Sequence, residues 1–282
     1  MTPDPTPPTE QTNPPNAFAQ MLWQAYLTGD YSNLDPKVRM IRQVFKRLPT
    51  DPRCKVCNAP FKGVGGTLVS LVGFGAGRSS FNPSLCDRCE KIVKKYQVGL
   101  EMPLTMLFAD VRGSTALAEA VGASHFHRLI NRYYKVSVEA LGKSDALINR
   151  LIGDALIGLY VPGIAGPNYV RRAVEGSRAL LEATGHAAPD GPWIQVGVGI
   201  HTGIGYVGAV GYGDSVSDIT VLGDAANVAA RLASNAAPGE IIVSKDTCEV
   251  GGFTPEDCEI RLLQLKGRTE PLSVRVLRVG AG

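Results

Sequence analysis

Leu104-Thr105-Met106-Leu107-Phe108-Ala109-Asp110-Val111-Arg112-Gly113-Ser114-Thr115 is the stretch that sets the fold class of this chain. Its first six residues are almost all apolar and read as a buried strand. The run ends on a carboxylate, Asp110. It then meets Gly113 and Ser114, where a helix predicted over 114–142, broken at Gly122, begins. Downstream, short strands at 145–152 and 155–161 are joined by Gly153-Asp154, the chemistry of a tight two-residue turn. A helix is predicted over 168–184. Residues 193–202 and 205–210 read as a strand pair, 217–222 as a strand, 224–236 as a helix and 240–244 as a strand. Two last strands fall at 259–265 and 272–278. Strand, helix, hairpin, helix, strand predicts an α+β domain: an antiparallel-rich sheet with helices on one face.

If the hairpin lies beside the first strand, Asp110 and Asp154 project from one end of the sheet. Two carboxylates with open coordination positions suit Mg²⁺, which takes oxygen ligands and leaves room for substrate phosphates. The plainer alternative is that Asp110 caps the helix near Ser114 and Asp154 fills a turn. Further along, Gly223-Asp224-Ala225-Ala226-Asn227-Val228-Ala229-Ala230-Arg231-Leu232 places Asn227 and Arg231 four apart, on one helix face. The alanines around them allow close approach, and a guanidinium fork suits phosphate oxygens. Taken alone, both residues also fit an ordinary solvated helix surface.

Together, the blocks at 108–115, 150–160, 198–203 (Val198-Gly199-Ile200-His201-Thr202-Gly203) and 217–232 resemble the signature blocks of the class III adenylate and guanylate cyclases. They stand in the family's order, over about residues 102–278. The resemblance implies a ferredoxin-like catalytic domain at 99–282. It implies that Asp110, Asp154 and the carbonyl of Val111 bind two Mg²⁺ or Mn²⁺ ions. One would lower the pKa of the ribose 3′-hydroxyl; the other would hold the triphosphate as pyrophosphate leaves. Backbone amides at Arg112, Gly113 and Ser114 would cradle phosphate oxygens. Asn227 would orient the ribose, Arg231 would stabilise charge on the α-phosphate, and Lys266 would contact the triphosphate. Family members often carry Arg where this chain has Gly197, so one cationic contact is missing or comes from elsewhere. His201 is expected to be structural.

The resemblance also implies that base choice falls on Arg150 and Thr220. Arg offers only donors, which reach a ring-nitrogen acceptor of adenine but cannot accept from guanine N1–H. Donors also suit guanine O6 and N7. The reading is ATP to cyclic AMP, with a guanylate cyclase as the alternative. An inactive nucleotide-binding cyclase-like protein is the alternative of another class. Retention of Asp110, Asp154, Asn227 and Arg231 speaks against it. The family's half-sites face each other across two chains, which implies a homodimer.

Upstream, Cys54-Lys55-Val56-Cys57 and Cys86-Asp87-Arg88-Cys89 are two C-x-x-C knuckles. Four thiolates favour tetrahedral Zn²⁺, with an iron–sulfur cluster as the second possibility. Cys248 and Cys258 read as ordinary thiols. The expected organisation is a disordered Pro-rich tail at 1–16, a helical segment at 17–50 and a four-cysteine metal module at 51–98. Residues 17–98 would regulate or organise a dimer. The apolar run 67–74 would pack on that module, join the dimer contact or touch a membrane surface.

Hydrophobic residues make up 44% of the 282, enough to build a core, and the net charge of +3 supplies no domain-wide field for nucleic acid. No run of 18 apolar residues predicts a membrane span. The Met-Thr-Pro-Asp start lacks a basic-then-apolar signal, so a cytoplasmic location is expected.

Overall fold

The computed structural model describes residues 17–49, 52–71, 77–79, 84–212, 216–253 and 258–280, without the side chains of 149–152 and 211–218. The tail predicted at 1–16 lies outside them. Four helices come first: α1 (Ala17–Thr28), α2 (Pro36–Arg47), α3 (Gly63–Val69) and α4 (Asp87–Tyr96). Asp35 caps α2, its Oδ1 accepting from the amide of Lys37 at 2.8 Å, with Pro36 in the first turn.

The sheet begins with β1 (Gly99–Val111). Next come α5 (Ser114–Val121) and α6 (Ala123–Lys143), separated at Gly122, whose φ of 77° breaks the helix. The hairpin β2 (Leu147–Ile152) and β3 (Ala155–Tyr160) leads to α7 (Pro162–Ala165), α8 (Tyr169–Ala183) and β4 (Val196–Tyr212). The chain closes with β5 (Val216–Leu222), α9 (Asp224–Asn235), β6 (Glu240–Ser244), α10 (Lys245–Val250), β7 (Glu259–Leu263) and β8 (Leu272–Arg278). Among the described residues the sheet order is β2-β3-β1-β4-β6-β8-β7, with β5 on β4. The run β4-β1-β3-β2 is the split βαβ arrangement of ferredoxin-like folds.

Two expectations need correction. The strand pair at 193–202 and 205–210 is one strand, β4. It pairs antiparallel with β1 from Val111↔Val196 to Gly99↔Gly208, and Gly203 and Ile204 stay in register with Leu104 and Pro103. A partner along the whole length keeps the glycine-containing stretch extended. Helices also cover both faces, not one. Leu107, Ala109 and Val111 share a core with residues of α6 and α8. The alternate residues Met102, Leu104 and Met106 share theirs with α1, α4 and α9.

Two contacts fix the second face. A Cβ on Gly199 of β4 would stand 2.1 Å from the amide nitrogen of Ala233 and 2.6 Å from the carbonyl of Ala229, so α9 lies directly on the strand only because Gly199 has none. Trp23 of α1 is fully buried, and its Nε1 donates to the carbonyl of Val207 on β4 at 2.9 Å. The N-terminal helices therefore share the core of the sheet. No helix among the described residues is long and apolar enough to cross a membrane.

Candidate active site and metal centre

The register of β1 on β3 puts Asp110 opposite Ala155, one residue past Asp154. The amide of Val111 donates to the carbonyl of Asp154 at 3.4 Å. The two carboxylates therefore sit together at one end of the sheet, from positions 44 residues apart in the chain. Gly153 takes the left-handed φ of 61° that this turn needs. The turn is also held from outside: the hydroxyl of Tyr134 on α6 donates to the carbonyl of Gly153.

Asp110 is half-buried and paired with the Arg112 guanidinium. Burial pushes its carboxyl pKa up, the Arg112 charge pulls it down, and the Asp154 charge raises it again, for a net upward shift. Two like charges this close favour a neighbouring cation, and Arg112 fills that place here. The oxygen donors of Asp110 and Asp154 fit Mg²⁺ or Mn²⁺. Arg112 also donates from Nη1 to the carbonyl of Ser234 on α9 at 3.1 Å. Its own amide is engaged by the carbonyl of Gln195 at 2.8 Å. Gly113, with φ 65° and no side-chain cap, opens α5 just before Ser114. The amides at this helix start have no earlier turn to bond to, which suits phosphate oxygens.

On α9, Ala225, Ala226, Val228, Ala229 and Leu232 face the core. Asn227 is exposed and Arg231 half-buried on the outer side. The turn at Lys266-Gly267 lies beside them, with Arg231 Nη2 3.7 Å from where a Gly267 Cβ would stand. Arg268 pins this turn to α9 through an ion pair with Asp224. Three basic or amide groups, Asn227, Arg231 and the exposed Lys266, thus gather on one surface.

Residues 98–273 match the adenylate and guanylate cyclase catalytic domain. The chain belongs to this cyclase family.

A curated adenylate cyclase of Anabaena cylindrica is 31% identical over 187 residues, 61% of this chain and 36% of that protein. The chain spans about a third of the length of the curated relatives it matches. The crystal structure of the guanylyl cyclase Cya2 superposes with a TM-score of 0.57 at 23% identity, over 65% of this chain and 95% of that one. The adenylyl cyclase CyaB from P. aeruginosa gives 0.54 at 26%, over 65% and 99%.

Within this cyclase domain, Thr220 of β5 pairs with Gly208 and is half-buried. Arg150 pairs with Ile157 on β3, and its side chain lies outside the described residues. A side chain at Gly197 would meet Ala236, 2.8 Å from its carbonyl oxygen, so close packing of the end of α9 excludes an Arg there. His201 is buried. Its Nδ1 lies 2.8 Å from the hydroxyl of Ser244, the residue that caps α10. That is a structural setting. Burial also holds the imidazole pKa below its usual value.

Tyr134 escaped the sequence reading, as did its neighbour Tyr133, which is fully buried. Burial, and after it the charge of Asp110, raises the Tyr133 hydroxyl pKa. The available signal was an aromatic pair on the helix after Asp110, which helical periodicity alone reads as core.

The four knuckle cysteines come together with all Sγ atoms within 4.8 Å of one another. Cys57 and Cys86 Sγ are 3.8 Å apart. A tetrahedron of thiolates about 2.3 Å from one ion has edges of about 3.8 Å, so the cage fits a single Zn²⁺. A multi-iron cluster spreads its ligands over several metals and needs a wider cage. The Cys86 amide donates to Cys54 Sγ at 3.3 Å, and Cys89's to Cys86 Sγ at 3.5 Å at the start of α4. These bonds favour thiolates. Without an ion the four thiols share their protons unevenly: hydrogen bonds from its neighbours drive the Cys54 pKa well down, while those of Cys57 and Cys89 are pushed up.

Proposed function

We propose that this chain is an adenylate cyclase that converts ATP to 3′,5′-cyclic AMP and pyrophosphate at sites shared between two copies. The observation that carries this reading is the pairing of Asp110 with Asp154 at the end of the sheet. Asn227, Arg231 and Lys266 lie outward, on and beside α9. A two-fold dimer that sets one chain's carboxylates against the other's α9 completes two equivalent sites. When bound by Asp110, Asp154 and the carbonyl of Val111, two divalent ions supply Lewis acidity toward the ribose 3′-hydroxyl and the triphosphate.

The chain's own groups position the rest. Asn227 orients the ribose. The Arg231 fork meets the α-phosphate oxygens, where charge grows in the transition state. Lys266 holds the triphosphate, and the amides of Gly113 and Ser114 cradle its oxygens. Arg112, freed from Asp110 once another cation sits there, supplies the cationic contact that Gly197 lacks. Thr220 accepts from the adenine amino group and Arg150 donates to a ring nitrogen, which favours ATP over GTP. The four-cysteine cage holds structural Zn²⁺, and a reducing cytoplasm keeps its thiols available.

The test is cyclic nucleotide formation by purified dimer with Mn²⁺ or Mg²⁺, offered ATP and GTP in parallel, with Asp110→Ala as control. Cyclic AMP from the parent alone is expected. Product from GTP only would overturn the base assignment. No product from either nucleotide would make the chain a nucleotide-binding partner.

A further inference from the structure

Residues 36–71 carry eight Lys or Arg and one Asp, a net of +7, while the whole chain nets +3. The remainder is therefore net negative, and the positive charge gathers on one part of the N-terminal module. None of it serves the active site. That part carries two kinds of surface. The first is a cleft of about 360 Å³ lined by Tyr31, Arg39, Arg42, Gln43, Lys46 and Asn58. Arg42 is fixed at its wall, stacked 3.4 Å over the Tyr31 ring and donating from Nη1 to the carbonyl of Lys55 at 2.8 Å. The side chains of Arg39 and Lys46 make no hydrogen bond or ion pair among the described residues. Three cations with an amide on either side form a receptor for a phosphate group.

The second surface is apolar. Val64, Leu68 and Leu71, spaced four and three apart on α3 and the turn after it, are 70%, 47% and 77% exposed. Met40 and Val44 form a second exposed pair on α2, between Lys37 and Arg47. The two helices touch: a Cβ on Gly65 would stand 2.6 Å from the carbonyl of Pro49 and 3.4 Å from the Cβ of Leu48, at the end of α2. Apolar tips beside a basic helix match an interfacial anchor, in which neither insertion nor charge suffices alone. Nucleic acid would use the charge but gain little from aliphatic tips, since it stacks on aromatic rings.

We propose that this face docks the enzyme on a bilayer of anionic phospholipid. The Arg39–Arg42–Lys46 cleft takes a headgroup phosphate, and Val64, Leu68 and Leu71 enter the acyl boundary. The test is co-sedimentation of the full chain with vesicles of phosphatidylcholine mixed with phosphatidylglycerol, against phosphatidylcholine alone, at physiological salt. Far-UV circular dichroism confirms that each variant is folded. Binding to the anionic vesicles only is expected. Each cation near the surface is worth roughly fivefold in partitioning, so Arg39→Gln with Lys46→Gln should weaken binding about 25-fold. Leu68→Asn with Leu71→Asn should also release the protein. Absence of sedimentation with anionic vesicles would overturn the proposal. So would full retention by the Leu68/Leu71 variant, which would leave only a generic acidic partner such as nucleic acid.

Discussion

At the residue scale, the turn that carries Asp154 depends on a side chain outside every signature block. Asp154 sits in a turn whose carbonyl at Gly153 is held by Tyr134. This tyrosine is a positioning residue, since it acts on the turn rather than on substrate. Tyr134→Phe removes one hydrogen bond, worth about 1 kcal/mol, and should lower kcat about fivefold. The metal concentration for half-maximal rate should rise with it, while KM for nucleotide stays close to the parent's. Steady-state kinetics across a Mn²⁺ series checks this. Loss of thermal stability with unchanged metal dependence would reassign Tyr134 to packing alone. Asp110, Asp154, Asn227 and Arg231 were legible because their spacing sits inside ordered blocks. Tyr134 and the Arg112–Asp110 pair were not. A hydroxyl's partner nineteen residues away depends on how a helix lies over a hairpin, which no local pattern encodes.

At the element scale, the edge formed by β6, β8 and β7 is tied by a charge cluster. Glu240 is buried and accepts from Arg261 at 3.0 and 3.2 Å, from Arg278 at 2.9 Å and from the amide of Ala237 at 3.0 Å. Burial pushes its carboxyl pKa up, but the bonds from Arg261, Ala237 and Arg278 outweigh it and hold it below the usual range. Bonds from Arg261 and Arg278 lower the exposed Glu259 to about 2. Depressed carboxylates stabilise the fold above their unfolded value of about 4.3, and that stability is lost as pH falls toward 2. Arg261→Gln should cost about 2 kcal/mol at pH 7. The gap from the parent should narrow from about pH 4.3 downward. Urea unfolding at several pH values measures it. A gap independent of pH would mean that Arg261 acts by packing only. The sequence showed these strands, but their order in the sheet, and so this cluster, comes from non-local pairing.

At the scale of the whole molecule, the proposed site is divided between two copies, and the N-terminal module is joined to the sheet. Asp110→Ala and Arg231→Ala should each be nearly inactive alone. Mixed and allowed to exchange subunits, they should recover about a quarter of parent activity, because half the dimers are mixed and each holds one intact site. No recovery in a mixture shown to exchange would place both half-sites in one chain. The four-cysteine cage makes a separate prediction. Metal analysis should find one zinc per chain, and Cys54→Ser should lose it. Loss of the ion loosens the knuckle that Lys55 ties to Asp145 at 3.4 Å, just before β2. Chelation should therefore lower Tm as well as release zinc. An unchanged Tm on complete zinc loss would show the cage to be energetically separate from the catalytic sheet.

What the sequence determined by itself was the chemistry and its order: strand-end carboxylate, turn carboxylate, paired Asn227 and Arg231, and two thiol knuckles. Each is a short-range pattern, and backbone geometry turns short-range spacing into a shared face or a shared ion. The tertiary structure alone decided that 196–212 is one strand, that helices cover both faces, and that Trp23 reaches Val207, 184 positions along the chain. It alone placed Arg112 on Asp110. Those outcomes depend on register and on which faces pack together. Both are settled by burial summed over distant segments rather than by any one of them.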